Sequence, residues 1–173
     1  SYYRTDDDIV GASKKDWYVS QELLERHFQA TNTDELIALY STSLEDRCKW
    51  LAIDLDRHQE HSEEVAEQNK RFVHGLYEQL VDLGFHPLLT DSNGRGGFHL
   101  FVLFEEELTA KEVRSFGRWL VRDWKEYLDS EPELFPAQDS IDGEYGNPFR
   151  LPGLHHTHPH YSKVWDGEEW LEG

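Results

Sequence analysis

The chain has 173 residues, 38% of them hydrophobic, and its 6 Trp, 8 Tyr and 9 Phe supply enough buriable surface for one core and argue against disorder. Seventeen Lys and Arg stand against 35 Asp and Glu, a net charge of −18 that repels nucleic acid at long range and implies a largely solvated acidic surface. No apolar run approaches the roughly 20 residues of a membrane span, no signal-peptide pattern opens the chain, and the single Cys48 excludes an internal disulfide and a cysteine-based zinc cage, so the expectation is a soluble, cytoplasmic domain. With no Met in the sequence, the chain is expected to be a single domain (1–173) cut from a longer protein, with an N-terminal extension over 1–46 and a core over 47–173.

The opening stretch through Asp16 is polar and reads as a loose lead-in. Ser20 caps a predicted helix presenting Leu23, Leu24, His27 and Phe28, and a second short helix is expected from Asp34 to Tyr40. Trp50 to Asp56 is an apolar run ending in acids, the pattern of a central strand covered on both faces until its exposed end. From Ser62 to Leu83, Val65, Phe72, Val73, Leu76, Tyr77, Leu80 and Leu83 recur at helical spacing, and Gly84 is placed to end the helix. Phe85 to Thr90 and Phe98 to Phe104 read as two strands joined by the glycine-rich turn Ser92-Asn93-Gly94-Arg95-Gly96-Gly97. Thr109 and Glu112 form a capping box opening a helix with Val113, Phe116, Leu120, Trp124 and Leu128 on one face. Short strands are expected within 134–141 and 149–151, and a closing hairpin around Val164 to Gly167. The order predicts an α+β fold on a mostly antiparallel sheet, ferredoxin-like or RNA-recognition-motif-like, behind a helical or mixed N-terminal extension.

Asp54 and Asp56 are two apart on a strand, so their side chains share a face while Leu55 points into the opposite layer. Two carboxylates held side by side are costly unless a cation lies between them, and Mg²⁺ or Mn²⁺, which prefer oxygen ligands, suit that geometry. A strand end running into a polar turn gives the same pattern. In the hairpin tip, Gly94, Gly96 and Gly97 permit close approach of backbone N–H groups to an anion, Arg95 adds a charge, and His99 opens the outgoing strand within reach of a phosphate. No Gly-x-x-x-x-Gly-Lys-Ser/Thr run occurs, which disfavours a P-loop nucleotidase. His155, His156, His158 and His160 form a dense cluster compatible with zinc, with a nickase-like His pair, or with a polar loop near the active site.

Three motifs in order, "LAIDLD", "SNGRGGFH" and the block Phe135-Pro136-Ala137-Gln138 followed by Gly146-Asn147-Pro148-Phe149-Arg150-Leu151-Pro152, resemble the archaeo-eukaryotic primase superfamily, the primase-polymerases. The similarity is greatest to its bacterial and mobile-element branch and covers Leu36 to Trp165. The resemblance implies nucleotidyl transfer, as a DNA primase or polymerase, by two divalent ions (Mg²⁺ or Mn²⁺). It implies that Asp54 and Asp56 are the metal-binding acids and that a third acid completes them, with Asp139 preferred and Glu133 its rival. It also implies that Ser92, Asn93, Gly94, Arg95, Gly97, His99 and Arg150 face the triphosphate. Implied partners are nucleoside triphosphates, a DNA template or primer, and a tethered helicase or zinc-binding module that lends affinity to an acidic domain. Two alternatives stay open at this point: a non-catalytic nucleotide- or partner-binding domain of the same fold, and a His-cluster DNA nickase.

Overall fold

The computed structural model describes residues 3–4, 19–56, 63–142, 146–157 and 159–172; most of the lead-in, and His158 with it, lie outside these. In chain order the elements are β1 (Tyr3–Arg4), α1 (Gln21–Phe28), β2 (Ala38–Tyr40), β3 (Arg47–Leu55), α2 (Glu63–Asp82), β4 (Leu88–Asp91), β5 (Phe98–Thr109), α3 (Ala110–Leu120), β6 (Glu133–Phe135), β7 (Pro148–Arg150), β8 (Val164–Trp165) and β9 (Trp170–Leu171).

The larger sheet has the order β6-β3-β5-β4-β8-β9, with every neighbouring pair antiparallel. Its first four strands, joined through α2 and α3, reproduce the split βαβ order of a ferredoxin-like core, and the β8–β9 hairpin extends the β4 edge. Alternation along β3 decides what each face carries. Leu51, Ile53 and Leu55 point toward the helices, where they meet Val73, Leu76 and Leu80 of α2, Val113 and Leu120 of α3, and Phe98, Leu100 and Val102 of β5. Each such fully buried aliphatic side chain contributes about 1.5–3 kcal/mol.

Both helices are delimited as their sequences require. Gly84 ends α2 at a positive φ of 87°, and the Phe85 N–H returns to the Leu80 carbonyl at 2.9 Å. The capping box of α3 is complete, with the Glu112 N–H donating to Thr109 Oγ1 at 3.2 Å and the Thr109 N–H donating to Glu112 Oε2 at 2.9 Å.

Local expectations fail where tertiary pairing overrides them. The helix expected over Asp34 to Tyr40 is a 3-10 turn (Thr33–Glu35) followed by β2, because β2 pairs with β7 and the Ile37 N–H is taken by His27 Nδ1 at 3.0 Å. The helix beginning at Ala110 stops at Leu120, and Trp124–Glu126 is a separate 3-10 turn that still buries Leu128. β4 starts at Leu88, after Pro87, which has no N–H to offer a ladder, and β5 runs on to Thr109. In α1, His27 is fully buried while Phe28 is exposed.

A smaller sheet, β1-β2-β7, joins a strand from the expected N-terminal extension to one from the expected core. It lies over the outer face of the large sheet through Phe149, which packs with Ala52, Phe101 and Phe135. That packing leaves one end of the outer face for polar residues.

Candidate active site

The strand register lays four residues of the outer face in one lateral row. Asp54 of β3 stands opposite Glu133 of β6 on one side and His99 of β5 on the other, and His99 stands opposite Thr90 of β4. Directly opposed residues hold their Cβ atoms about 4.5–5.5 Å apart, so Glu133, Asp54, His99 and Thr90 are neighbours although they come from four strands. Asp56 follows Asp54 just beyond the strand, and Asp54, Asp56, Asn69 and Glu133 line a cleft there.

Three atoms of the row are buried without a hydrogen-bond partner among the described residues: Asp54 Oδ1, His99 Nδ1 and Thr90 Oγ1. Native interiors rarely leave such groups unpaired. Burial, then Asp56, then Glu133 push the Asp54 carboxyl well above the usual carboxylate range, while the Arg150 guanidinium pulls it back. Burial, then Arg150 and His155, push the His99 imidazole well below its ordinary value, so His99 is neutral at pH 7 although its Nε2 lies 3.5 Å from Asp54 Oδ1. A buried carboxylate facing two others beside a neutral imidazole calls for a positive ligand.

The donor set fits a hard cation. Asp54, Asp56 and Glu133 offer only oxygens, as Mg²⁺ and Mn²⁺ prefer, and the orphaned Asp54 Oδ1 is already desolvated. The three carboxylates share the cleft, but among the described residues no group of three or more His, Cys, Asp or Glu is placed to hold a metal ion as it stands.

The expectation that Asp139 faces the acidic pair is corrected, whereas Glu133 is exposed, as expected, while also lining the cleft. Glu133 pairs with Asp54 in register. Asp139 is exposed and ion-paired to Arg114 at 3.0 Å. The reason is strand direction: β6 is antiparallel to β3, so residues after Glu133 travel away from Asp54 toward the start of β3. The Ile141 N–H accordingly donates to Asp46 Oδ1 at 2.8 Å and Ser140 Oγ to Asp46 Oδ2 at 2.9 Å, just before Arg47. Asp46 immediately precedes β3 and so lies at the opposite end of that strand from Asp54.

The hairpin tip is more closed than its glycines suggest. Asn93 Oδ1 accepts from the Arg95 N–H at 2.8 Å and from the Gly97 N–H at 3.1 Å, so two amides expected to cradle phosphate are taken by the loop itself. The Ser92 N–H pairs with the Gly97 carbonyl at 2.9 Å. Gly94 has a φ of 66°, and a Cβ there would lie 2.8 Å from the His160 ring. Arg95 is exposed at the outer end of the tip.

Arg150 joins the layers. Its guanidinium donates to the Ser92 carbonyl at 3.2 Å and to the Leu151 and Leu154 carbonyls at 3.4 and 3.3 Å, which ties β7 to the base of the tip. Burial lowers its pKa, countered by Asp54, Asp56 and Asp91, so a desolvated positive charge acts on the acids.

The described histidines of the cluster do not converge on an ion. His160 Nε2 lies 2.7 Å from Asp91 Oδ1, the His155 N–H donates to the His160 carbonyl at 2.8 Å, and His155 Nδ1 accepts from the Thr157 N–H at 3.1 Å. His156 stacks on His155 at 4.5 Å. These bonds make a latch behind the tip.

Two residues near the row escape a reading by motif. Thr90, on a strand edge of the glycine-rich motif, looks like an ordinary β-branched strand residue. Asn69 could have been noticed as the polar interruption of an otherwise apolar helical stripe.

The four ferredoxin-like strands carry acids at the end of the first strand and a His on the third. Among solved structures, the polymerase domain of Mycobacterium tuberculosis ligase D in complex with DNA superimposes with a TM-score of 0.54 at 11% identity, covering 81% of this chain and 57% of that one. The chain thus spans little more than half the length of that polymerase domain, and the likeness establishes the shared fold. No curated protein matches. Residues 10–166 match the archaeo-eukaryotic primase domain of the TOTE conflict system, and the chain belongs to that family. Among the described residues, no helix is long and apolar enough to cross a membrane.

Proposed function

We propose that this domain transfers a nucleotidyl group from a nucleoside triphosphate to the 3′-hydroxyl of a DNA primer or a first nucleotide, directed by a DNA template. The observation that carries the reading is the row Glu133–Asp54–His99–Thr90, with three buried polar atoms unpaired and Arg150 charged behind it. Family membership and the polymerase-like fold support it.

Asp54, Asp56 and Glu133 are the residues that would hold divalent ions, Glu133 taking the place first assigned to Asp139. Bound Mg²⁺ or Mn²⁺ would activate the attacking hydroxyl and offset charge on the leaving pyrophosphate. The protein's own part is positioning and charge. Neutral His99 can donate from one ring nitrogen to a phosphate oxygen, and which nitrogen is set by its partner. Arg150 stabilises the ionised acids. Arg95, with the tip, meets the outer phosphates, and phosphate competes with Asn93 for the two amides. As the O3′–phosphorus bond forms, the bond to pyrophosphate breaks and the hydroxyl proton passes to solvent. A neighbouring helicase or zinc-binding module would supply the DNA affinity that a charge of −18 opposes.

Non-catalytic nucleotide binding is the second reading, favoured by the occupied amides of the tip. Incorporation of labelled nucleotide into a primed template with Mn²⁺ separates the two. Extension that stops on chelation supports transfer; triphosphate binding without extension supports the second reading.

A further inference from the structure

The core-facing stripe of α2 is apolar at Val65, Val73, Leu76 and Leu80 and polar at Asn69, which is only 5% exposed. An asparagine at such a position costs stability unless its amide is bonded, and an aliphatic residue would pack there more cheaply. Its Nδ2 donates both hydrogens, to the Asp56 carbonyl at 3.2 Å and to the Gly96 carbonyl at 2.9 Å.

Those two carbonyls belong to the two halves of the site. Asp56 follows the last residue of β3, and Gly96 lies in the tip before β5 begins at Phe98. The ladder between β3 and β5 ends at the pair Leu55 and Phe98, so Asp56 and Gly96 lie past its last rung. The Asn69 amide bridges the gap at the point where the acids and the phosphate-side loop must keep a fixed separation. One side chain on a rigid 20-residue helix thereby sets the mouth of the cleft.

We infer that Asn69 is a positioning residue of the nucleotidyl-transfer site, clamping the acid-bearing end of β3 to the glycine-rich tip. The inference rests on the function proposed above. It assigns Asn69 no contact with substrate; its effect passes through the backbone of Asp56 and Gly96.

The test is N69L, close in volume but unable to donate, studied well below its unfolding midpoint by two readouts. In the first, amide hydrogen exchange at Asp56 and at Ser92 to Gly97 rises in the variant, while exchange in the α3 and β5 core stays as in wild type. In the second, Mn²⁺-dependent incorporation at saturating triphosphate shows kcat falling about 10- to 100-fold, the size expected of a misplacement near 1 Å, with KM changing far less. If N69L does not fold, N69S, which retains one short donor, is measured in its place. Unchanged exchange at both segments overturns the clamp whatever the activity. Raised exchange with an unaltered kcat overturns its catalytic role. A wild-type protein that incorporates nothing overturns the proposed function instead, and the exchange measurement still decides the clamp.

Discussion

The two faces of β3 and β5 are built from alternate residues of the same strands, yet they solve opposite problems. On the helix side, Leu51, Ile53, Leu100 and Val102 are buried at 0–1% exposure among apolar neighbours. On the outer side, one step along each strand, His99 is buried and Asp54 half-buried, and both keep an atom left unpaired. The first face is where apolar burial stabilises the fold. The second holds buried polar groups at a cost, and that cost is what a bound ligand would relieve.

Asp54→Asn breaks the contrast most strongly. It removes a desolvated charge and keeps the shape, so we expect Mn²⁺-dependent incorporation to fall about 10³-fold, the equivalent of roughly 4 kcal/mol of lost transition-state stabilisation. The unfolding temperature without metal should rise, because an unpaired buried carboxylate opposes folding. Kinetics and thermal melts of one preparation check both halves.

Leu100→Ala is the converse. Leu100 is fully buried between the helices, and its truncation should cost about 2–5 kcal/mol in denaturant unfolding. Activity of the fraction that remains folded should be unchanged. A selective loss of kcat at full folding would show that the helix face also shapes the site.

Glu133→Gln and Asp139→Asn sharpen the comparison within the outer face. We expect Glu133→Gln to reduce incorporation about tenfold or more, since it neutralises one of three carboxylates facing the cleft, and Asp139→Asn to leave it within about twofold. The opposite ranking would restore Asp139, despite its ion pair with Arg114.

That ranking also marks where the sequence stops being informative. Parity along a strand separated Asp54 from the core-facing Ile53 and Leu55, although Asp56 falls just past the strand's end, and helical spacing found α2 and its end at Gly84, because both are local properties of the chain. Choosing between Glu133 and Asp139 needs the direction of β6 relative to β3, which no local pattern encodes; the antiparallel pairing carries Asp139 toward Asp46. β2 was hidden because its partner, β7, lies more than a hundred residues on. The glycines of the tip were legible as a turn, but the turn's own Asn93 fills the amides that a phosphate was expected to use.

Whether Asp54, Asp56 and Glu133 hold a divalent cation is tested most directly by the unfolding temperature of wild type and Asp54→Asn from about pH 4 to 8, with and without Mn²⁺. Because the folded carboxyl of Asp54 is raised, the stability it lends is full below its unfolded value of about 3.9 and is lost as pH rises through the raised folded value. Because His99 is lowered, its contribution is full above about 6.5 and is lost as pH falls through its lowered value. Wild type without metal should therefore lose ground to Asp54→Asn as pH rises, and Mn²⁺ near pH 7.5 should restore it by binding the folded state while leaving the variant unchanged. Equal stabilisation of both proteins by Mn²⁺, or of neither, would contradict the account.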